Sequence, residues 1–495
     1  MCHFLRPMRH YPSTFLLVLI AASALKPISA SAGGVLPLGQ AEYNFIYDRL
    51  ERHEIFALDR YDYQCGPYLC SDIDCSVAPF ADIQNVPASR LSLFGFIDED
   101  FRSGRFSRPQ GFERMRGGGS GEPLNNLFIY SAFVLDERRA RDEKYRGKKW
   151  RGFAGDVEYA FGSYQTNRVH LLVGRFSQFW GERQSLFLSP ERKLDGFAYA
   201  LKWGNLTVSY RLARLDGLNT DIDAVAQFEN RYFAGHRLDM HFSPQFRLGL
   251  IETVIFGGVG RQLDLFYLNP IIFYHGSQLN EDVNDNTLLG FDFTYKPARG
   301  YKFFGQLLID DIQLDNKSRG DKEPTEMGIL LTGYIADVLP SYDLTMDYSR
   351  VTNWTFNQIA PRNRYTIDNN LIGAALGNDY DLSTISLTRW FGTSVNSSLT
   401  FRYLRQGEGS IDAIWSEPWI TAEGAYTEPF PTGVVEKIAI VSAGLKGFVK
   451  TFGFFDIETG IEQIRNQGHV NGKEQTVPFF QLKISTFFSK IISIE

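Results

Sequence analysis

Beyond its N-terminal stretch the sequence lacks any apolar run near 18 residues, which excludes a membrane-spanning helix from residue 33 onward. A spanning β-strand needs only about 9–11 residues of weak alternation, so a membrane β-barrel remains open. Histidine is scarce, with 8 scattered residues, and the chain has neither a GxSxG elbow nor an HExxH helix. We therefore predict that the protein is not an enzyme and has no catalytic residue, metal site or cofactor.

Positive charge is in deficit. The chain has 51 Lys and Arg against 57 Asp and Glu, and without residues 1–32 its net charge is about −9. General nucleic-acid binding requires a basic face, so we predict no nucleic-acid partner.

Cysteine is rare, with four residues, of which Cys65, Cys70 and Cys75 follow residue 32. In an oxidising compartment we expect one disulfide and one free thiol, with the pairing left open. A metal site is disfavoured because the segment contains no His and its cysteines are not spaced by two residues.

The N-terminus has the pattern of an export signal. A basic start is followed by an apolar stretch within residues 12–25, which is too short to span a bilayer, and by small residues at Ala30-Ser31-Ala32. We predict a signal peptide over 1–32, a periplasmic helical and cysteine-containing segment over 33–88, and a barrel over 89–495. Within 36–58, apolar residues at helical spacing predict a short amphipathic helix.

Aromatic residues are abundant, at 15% of the chain. From about residue 89, stretches of roughly 8–12 residues recur with the two-residue period of β-strands. Short turns alternate with long polar stretches, among them 216–230, 257–287, 311–326, 352–383 and 407–435. Strands joined in this way predict an all-β fold, a transmembrane antiparallel β-barrel of about 16–18 strands with a small N-terminal periplasmic helical segment. Gly117-Gly118-Gly119 is followed by no Lys or helix pattern and is interpreted as a loop.

The segment FFGQLLIDD (303–311) ends in two adjacent carboxylates. Two side-by-side aspartates suggest an acid and a nucleophile for glycoside cleavage, but adjacent strand residues point to opposite faces. If Phe303, Gly305, Leu307 and Ile309 face lipid, Asp310 points into the lumen. The pair is then best explained as a strand leaving the bilayer.

The chain resembles the Wzi family of capsule-assembly outer-membrane proteins. The resemblance covers most of residues 36–405 and rests on a series of segments in similar order, among them AGHRLDM (234–240), LGLIETVIFGG (248–258), FYLNPIIFY (266–274), GQLLIDD (305–311) and MDYSRVTNWTF (346–356). It implies an outer-membrane barrel of about eighteen strands with a small periplasmic helical part, and a role in holding surface polysaccharide. The C-terminal Ile-Ile-Ser-Ile-Glu and the cysteine segment depart from the expected pattern.

Aromatic faces stack on sugar rings, and Arg binds carboxylates through two hydrogen bonds. Candidate ligand-binding residues are Arg175, Trp180, Arg183, Asp310, Arg350 and Trp354. The alternative explanation for Trp180, Arg183 and their neighbours is an aromatic girdle with a lumen salt bridge.

We predict an outer-membrane protein, monomeric and surrounded by outer-membrane lipid, that binds or organises surface polysaccharide without catalysis. The alternatives are a porin-like channel for small solutes, which requires an open charged lumen, and a hydrolase, which requires polar residues converging in one pocket.

Overall fold

The computed structural model describes residues 38, 40–57, 65–66, 90–104, 109–124, 126–143, 145, 147–222, 225–276, 284–311, 322–423, 426–449 and 453–493. The predicted signal peptide, the side chain of Cys65 and all of Cys70 and Cys75 lie outside these residues. The signal peptide, the disulfide and the division at residues 32 and 88 therefore stay predictions. No helix in the described ranges is long and apolar enough to cross a membrane.

Strands dominate the described chain. In chain order, its first half contains α1 (Ala41–Ala57), β1 (Cys65–Gly66), β2 (Arg90–Ser103), β3 (Gln110–Leu124), β4 (Leu127–Asp136), α2 (Glu137–Arg141), β5 (Lys149–Trp150), β6 (Phe153–Gln165), β7 (Val169–Ser177), β8 (Phe179–Trp180), β9 (Lys193–Trp203), β10 (Leu206–Arg214), β11 (Leu218–Ile222) and β12 (Val225–His241). The second half contains β13 (Phe246–Val259), β14 (Asn286–Tyr295), β15 (Tyr301–Asp311), β16 (Glu326–Leu339), β17 (Tyr342–Val351), β18 (Thr366–Ile367), β19 (Asn370–Leu371), β20 (Tyr380–Phe391), β21 (Val395–Gln406), α3 (Pro418–Thr421), β22 (Glu436–Val449), β23 (Gly453–Arg465) and β24 (Glu474–Ser493).

Eighteen long strands, counted within the described residues, form a closed antiparallel barrel. Each barrel strand pairs with the next along the chain, and the ring closes where β2 pairs with β24, from Arg90 opposite Ser493 to Ser103 opposite Phe480. The short strands β5 and β11 extend the ring, whereas β1 with β8 and β18 with β19 form separate pairs. The predicted barrel and its strand number are confirmed.

The two ends of the barrel differ in the length of their connections. At one end the strands meet in tight turns, such as Trp203 to Leu206, where Gly204 has φ +62°, a backbone angle that a tight hairpin favours and glycine adopts readily. At the other end lie the long segments, among them 352–379 and 407–435. Outer-membrane barrels have short periplasmic turns and long extracellular loops, so the long segments mark the extracellular end.

Strand β15 shows the alternation expected of a membrane barrel. Tyr301 and Phe303 are 42% and 41% exposed on the outer face, whereas Lys302 and Phe304 are buried in the lumen. The predicted lipid-facing phase of FFGQLLIDD is therefore confirmed, and Asp310 points inward.

The glycine triplet at 117–119 lies inside β3, so the predicted loop is wrong. A Cβ atom on Gly118 would lie 2.0 Å from the carbonyl oxygen of Ser131 in β4, so glycine permits this close approach of the two strands. The lumen side of β3 carries charged residues such as Arg114 and Arg116, which hid its strand pattern in the sequence.

Helix α1 confirms the predicted N-terminal helical segment. Its Phe45, Tyr47 and Leu50 pack with Trp390 and other aromatic residues at the short-turn ends of β20, β22 and β23. Burying an apolar helix face against the inner wall stabilises a helix that its sequence alone would hold only weakly.

Candidate functional site

Helix α1 crosses the lumen of the barrel. Near its start, Glu42 accepts a hydrogen bond of 2.8 Å from Arg116 in β3, and near its end Glu54 accepts one of 2.6 Å from Lys296, just after β14. These two partners lie on nearly opposite sides of the ring. Twelve helical residues span about 18 Å, which is the distance that the helix bridges inside the barrel.

Ion pairs line the middle of α1. Asp48 pairs with Arg183 and, at 2.7 Å, with Lys446, while Glu51 pairs with Lys302 at 2.8 Å. Burial raises the pKa of Asp48, but Lys446 and Arg183 outweigh it and lower the pKa to about 2. The helix is therefore held to several strands by charge as well as by its apolar face.

The centre of the lumen is filled by an apolar cluster from two inward-folded segments, 178–192 and 352–379. Phe187 from the first segment and Tyr365 from the second are both fully buried, together with Phe304 of the wall. The Tyr365 hydroxyl donates to the carbonyl oxygen of Phe187 at 3.0 Å, which joins the two segments directly.

Asp310 holds the second of these segments in place. Its carboxylate accepts a hydrogen bond of 2.6 Å from the backbone N–H of Phe356. The pairing of β15 with β16 shifts by one residue between Ile309 and Asp311, so Asp311 is opposite Glu326, whose side chain is buried. The alternation that predicts opposite faces for the two aspartates is therefore broken at this irregularity. The aspartate pair ends a strand, and Asp310 anchors an inward segment.

A charged network lies on the lumen wall. Arg237 is completely buried and donates to Asp239 at 2.6 Å and to Asp292 at 2.6 Å, and Arg247 donates to Asp239 at 2.8 Å. Because each of these carboxylates is paired, the ion pairs link the neighbouring strands β12, β13 and β14.

Four aromatic side chains gather at the extracellular end, where segments 352–379 and 407–435 meet. The ring of Trp354 lies 5.1 Å from Trp415 and 5.8 Å from Trp419, and Trp419 lies 6.3 Å from Tyr426. We call these four residues the aromatic cluster. Pro418 begins the short helix α3 that carries Trp419, a position where proline's missing N–H costs nothing.

A carboxylate completes the cluster. Glu428 accepts hydrogen bonds of 2.9 Å from the Trp354 indole and 3.0 Å from the Asn353 amide. Burial raises the pKa of Glu428, although both donors oppose the shift. Trp354 has φ +60°, a strained conformation for a bulky side chain, and such strain is commonly found at binding sites. The loop is held in a costly shape that turns the indole toward Trp415 and Trp419.

Arg350 and Trp354, two of the predicted ligand-binding residues, lie at the extracellular end. Trp354 belongs to the aromatic cluster, whereas the Arg350 guanidinium lies 3.7 Å from the ring centre of Phe430 in the same loop as Tyr426. That contact is a cation–π interaction and holds the loop against β17.

Arg175, Trp180 and Arg183 lie elsewhere. Trp180 is 1% exposed within the apolar cluster of the lumen, and Arg183 pairs with Asp48 of α1. Arg175 forms a two-bond ion pair with Asp195, at 2.6 and 2.7 Å. The structure therefore does not bring the six predicted residues together, and Trp180 and Arg183 contact protein in the lumen interior.

The sequence pattern does not identify Trp415, Trp419, Tyr426 and Glu428 as candidate binding residues, because 407–435 is predicted only as a long polar stretch. The signal was present as IWSEPWI (414–420), where two tryptophans flank a proline in an otherwise polar stretch. In a loop between membrane strands, such aromatic residues do not face lipid, so they indicate packing against another loop or binding of a ligand.

Comparisons with known proteins agree with this architecture. Among solved structures, the barrel is similar to Wzi of Escherichia coli, an outer-membrane protein described as involved in group 1 capsule assembly and as a carbohydrate-binding β-barrel. The two share 13% identity with a TM-score of 0.58, over 91% of this chain and 99% of that one.

Other solved barrels are less similar. The outer-membrane protein opdK of Pseudomonas aeruginosa gives 10% identity and a TM-score of 0.45, over 82% of this chain and 100% of that one. OccAB1 of Acinetobacter baumannii gives 10% identity and a TM-score of 0.45, over 80% of this chain and 96% of that one. No curated protein sequence matches the chain.

The sequence profile of the capsule assembly protein Wzi matches residues 197–477, which is more than half of the chain. The chain therefore belongs to the Wzi capsule assembly family and is an outer-membrane β-barrel.

Proposed function

We propose that this protein binds surface polysaccharide at the cell surface, without covalent chemistry, and that the aromatic cluster is the main contact. The observation that carries the proposal is the meeting of Trp354, Trp415, Trp419 and Tyr426 beside Glu428 at the extracellular end. Aromatic faces pack on the apolar faces of sugar rings, and a carboxylate accepts hydrogen bonds from sugar hydroxyls.

The surroundings of the cluster support a contact surface. Ile414 is 89% exposed and Ile420 is 66% exposed, and both flank the tryptophans on segment 407–435. Trp415 is half-buried, so one part of its indole remains accessible. Trp354 and Trp419 are 7% and 5% exposed, so they support Trp415 and Tyr426, the partly exposed members of the cluster. A rigidly held aromatic face with adjacent apolar and acidic side chains suits a chain of sugars better than it suits a small solute.

The test compares two solvent-accessible tryptophans at opposite ends of the barrel. Trp415→Ala removes an accessible ring of the cluster, whereas Trp203→Ala removes a ring that is 83% exposed at a short turn. Capsular glycan retention is measured in cells that carry only the variant, and binding of the purified glycan is measured by titration. We expect a several-fold loss for Trp415→Ala and none for Trp203→Ala. Equal retention by both variants would contradict the proposed site.

The sequence-based candidates allow a second comparison. If Trp180 and Arg183 act on glycan, as the sequence suggested, replacing both with Ala should reduce retention beyond any loss of folded protein in the membrane. We expect their replacement to loosen α1 and the lumen segments instead, because Arg183 pairs with Asp48. If a normally folded double variant loses glycan binding, the glycan site is in the lumen and not at the aromatic cluster.

A porin-like channel is disfavoured by the filled lumen. Helix α1 lies across the short-turn end of the lumen, and the two inward segments fill its centre, where their apolar side chains are buried. We expect no steady conductance from the purified protein in planar bilayers, together with glycan binding by the same preparation. Steady ohmic conductance without glycan binding would favour the channel.

A further inference from the structure

The segment that follows β13 folds back over the outside of the barrel. From Ile251 to Gly257 every residue of β13 is buried, although a membrane strand normally exposes alternate residues to lipid. Ile251 and Ile255 belong to the lumen cluster, so Glu252 and Val254, which alternate with them, face outward. Just below, outward-facing Leu250 is 45% exposed. Protein therefore covers the upper part of this outer face.

The cover consists of residues 260–276. The ring of Tyr267 lies 4.5 Å from that of Phe256, and the ring of Tyr274 lies 4.5 Å from that of His236. The hydroxyl of Tyr210 in β10 donates to the carbonyl oxygen of Tyr267 at 2.7 Å. We call this segment the outer flap.

Beneath the outer flap lies a pair of polar side chains that lipid would not tolerate. His236 and Glu252 project from the outward faces of β12 and β13, with 3.1 Å between Nε2 and the carboxylate, and the Glu252 side chain is 4% exposed. Glu252 also accepts hydrogen bonds from the backbone N–H groups of Tyr274, at 3.0 Å, and His275, at 2.8 Å. Charged side chains on the lipid face are destabilising, and the flap removes this one from lipid.

The flap lies at the extracellular edge of the lipid-facing band. Along the hydrogen-bonded row, Glu252 is opposite Leu289, which is opposite Ile309. β15 ends two residues beyond Ile309, with the charged pair Asp310 and Asp311. The flap is therefore placed where the outer leaflet changes from acyl chains to head groups.

The outer surface of the flap is strongly apolar. Leu265 is 75% exposed, Ile271 is 89% exposed and Phe273 is 56% exposed. Directly below the flap, Leu250 of β13 and its partner Phe291 of β14 are 45% and 41% exposed on the lipid-facing wall, so these apolar side chains adjoin that band. An isolated loop in water would gain nothing from presenting these side chains.

We propose that the outer flap inserts Leu265 and Ile271 into the apolar part of the outer leaflet, with Phe273 at its edge. The occupant of the surface is then the acyl layer of the membrane, because the patch is continuous with the strands that already face it. Glu252 accepts from the backbone N–H groups of Tyr274 and His275, and Tyr210 donates to the carbonyl of Tyr267, so these three backbone groups of the flap are paired, as backbone at membrane depth requires. The barrel thus carries an added membrane contact on one side of its rim.

The test places a tryptophan reporter in the patch. Ile271→Trp and, as a matched control, Ile359→Trp are reconstituted in phosphatidylcholine vesicles with brominated acyl chains. Ile359 is 70% exposed on the inward segment 352–379. The fluorescence of the unmodified protein is subtracted. Both positions are exposed, so neither replacement disturbs a packed core.

We expect the reporter at position 271 to be quenched several-fold more strongly than the reporter at 359. Equal quenching at both positions would overturn the proposal. A blue-shifted but unquenched reporter at 271, with cross-links between copies of the protein, would also overturn it and would assign the patch to a protein contact.

Discussion

Asp48 offers the sharpest test of what holds α1 inside the barrel. Asp48→Asn keeps the size of the side chain and removes its charge, while Arg183 and Lys446 remain facing an amide. Lowering the pKa of Asp48 from 3.8 to about 2 corresponds to about 2 kcal/mol in favour of the charged form. We therefore expect α1 to open roughly 30-fold more often in the variant.

Hydrogen exchange of the amides in 41–57 measures this opening. The control is Asp264→Asn, which removes an exposed carboxylate 3.7 Å from Arg261 and far from α1, where an ion pair contributes little. Lys446→Gln alone and together with Asp48→Asn completes a double-mutant cycle, and we expect the two effects to be less than additive. Unchanged protection in Asp48→Asn would refute the reasoning, because the apolar face alone would then hold the helix.

The same carboxylate predicts a pH dependence with a defined sign. The folded protein holds the pKa of Asp48 below its ordinary value, so the stabilisation is complete above pH 3.8 and is lost as the pH falls toward about 2. After correction for intrinsic rates, protection of α1 should decrease over this window in the unmodified protein and change less in Asp48→Asn. An identical profile in both would assign the acid sensitivity to other groups.

Three further changes test the lumen. Gly373→Ala would place a Cβ atom 1.8 Å from the carbonyl oxygen of Leu186, so we expect a lower unfolding midpoint and a loss of stability of about 1–3 kcal/mol. The control Gly162→Ala has open space around the added Cβ atom and should leave the midpoint unchanged. Equal midpoints in the two variants would contradict the close contact at Gly373. Arg237→Met removes the cation beside buried Asp292 and leaves buried Asp239 with Arg247, so we expect the free energy of unfolding in denaturant to fall by about 3–5 kcal/mol. An unchanged unfolding midpoint would disprove this. Asp310→Ala removes a hydrogen-bond acceptor, and faster amide exchange at 353–357 should follow at a cost of about 1–3 kcal/mol; unaltered exchange would show that the segment is held otherwise.

The barrel was predictable because lipid imposes a simple pattern on the outer face. In β15 the alternation of Phe303 and Phe304 with their neighbours was sufficient to assign both faces correctly. The sequence pattern does not predict strand β3, because its lumen face carries Arg114 and Arg116 and its centre carries three glycines, which are typical of a loop. Alternation is informative where one face is uniformly apolar, and it fails where small residues replace the apolar ones.

The interior was harder to predict, because its contacts join residues that are far apart in the chain. Nothing near Arg183 in the sequence indicates that its partner is Asp48, and an Arg beside Trp180 equally suggests a sugar site. The aromatic cluster likewise depends on two loops, one carrying Trp354 and the other Trp415. Local patterns identify the chemical groups, whereas the barrel's curvature decides which of them meet.

The position of α1 has a consequence for the order in which the protein is built. The helix precedes every barrel strand in the chain, yet its partners include Arg116 of β3, among the first strands, and Lys446 of β22, among the last. The ring itself closes only when β24 reaches β2. We infer that α1 makes only part of its contacts while the strands are being assembled around it. The helix then blocks the lumen fully only as the barrel closes.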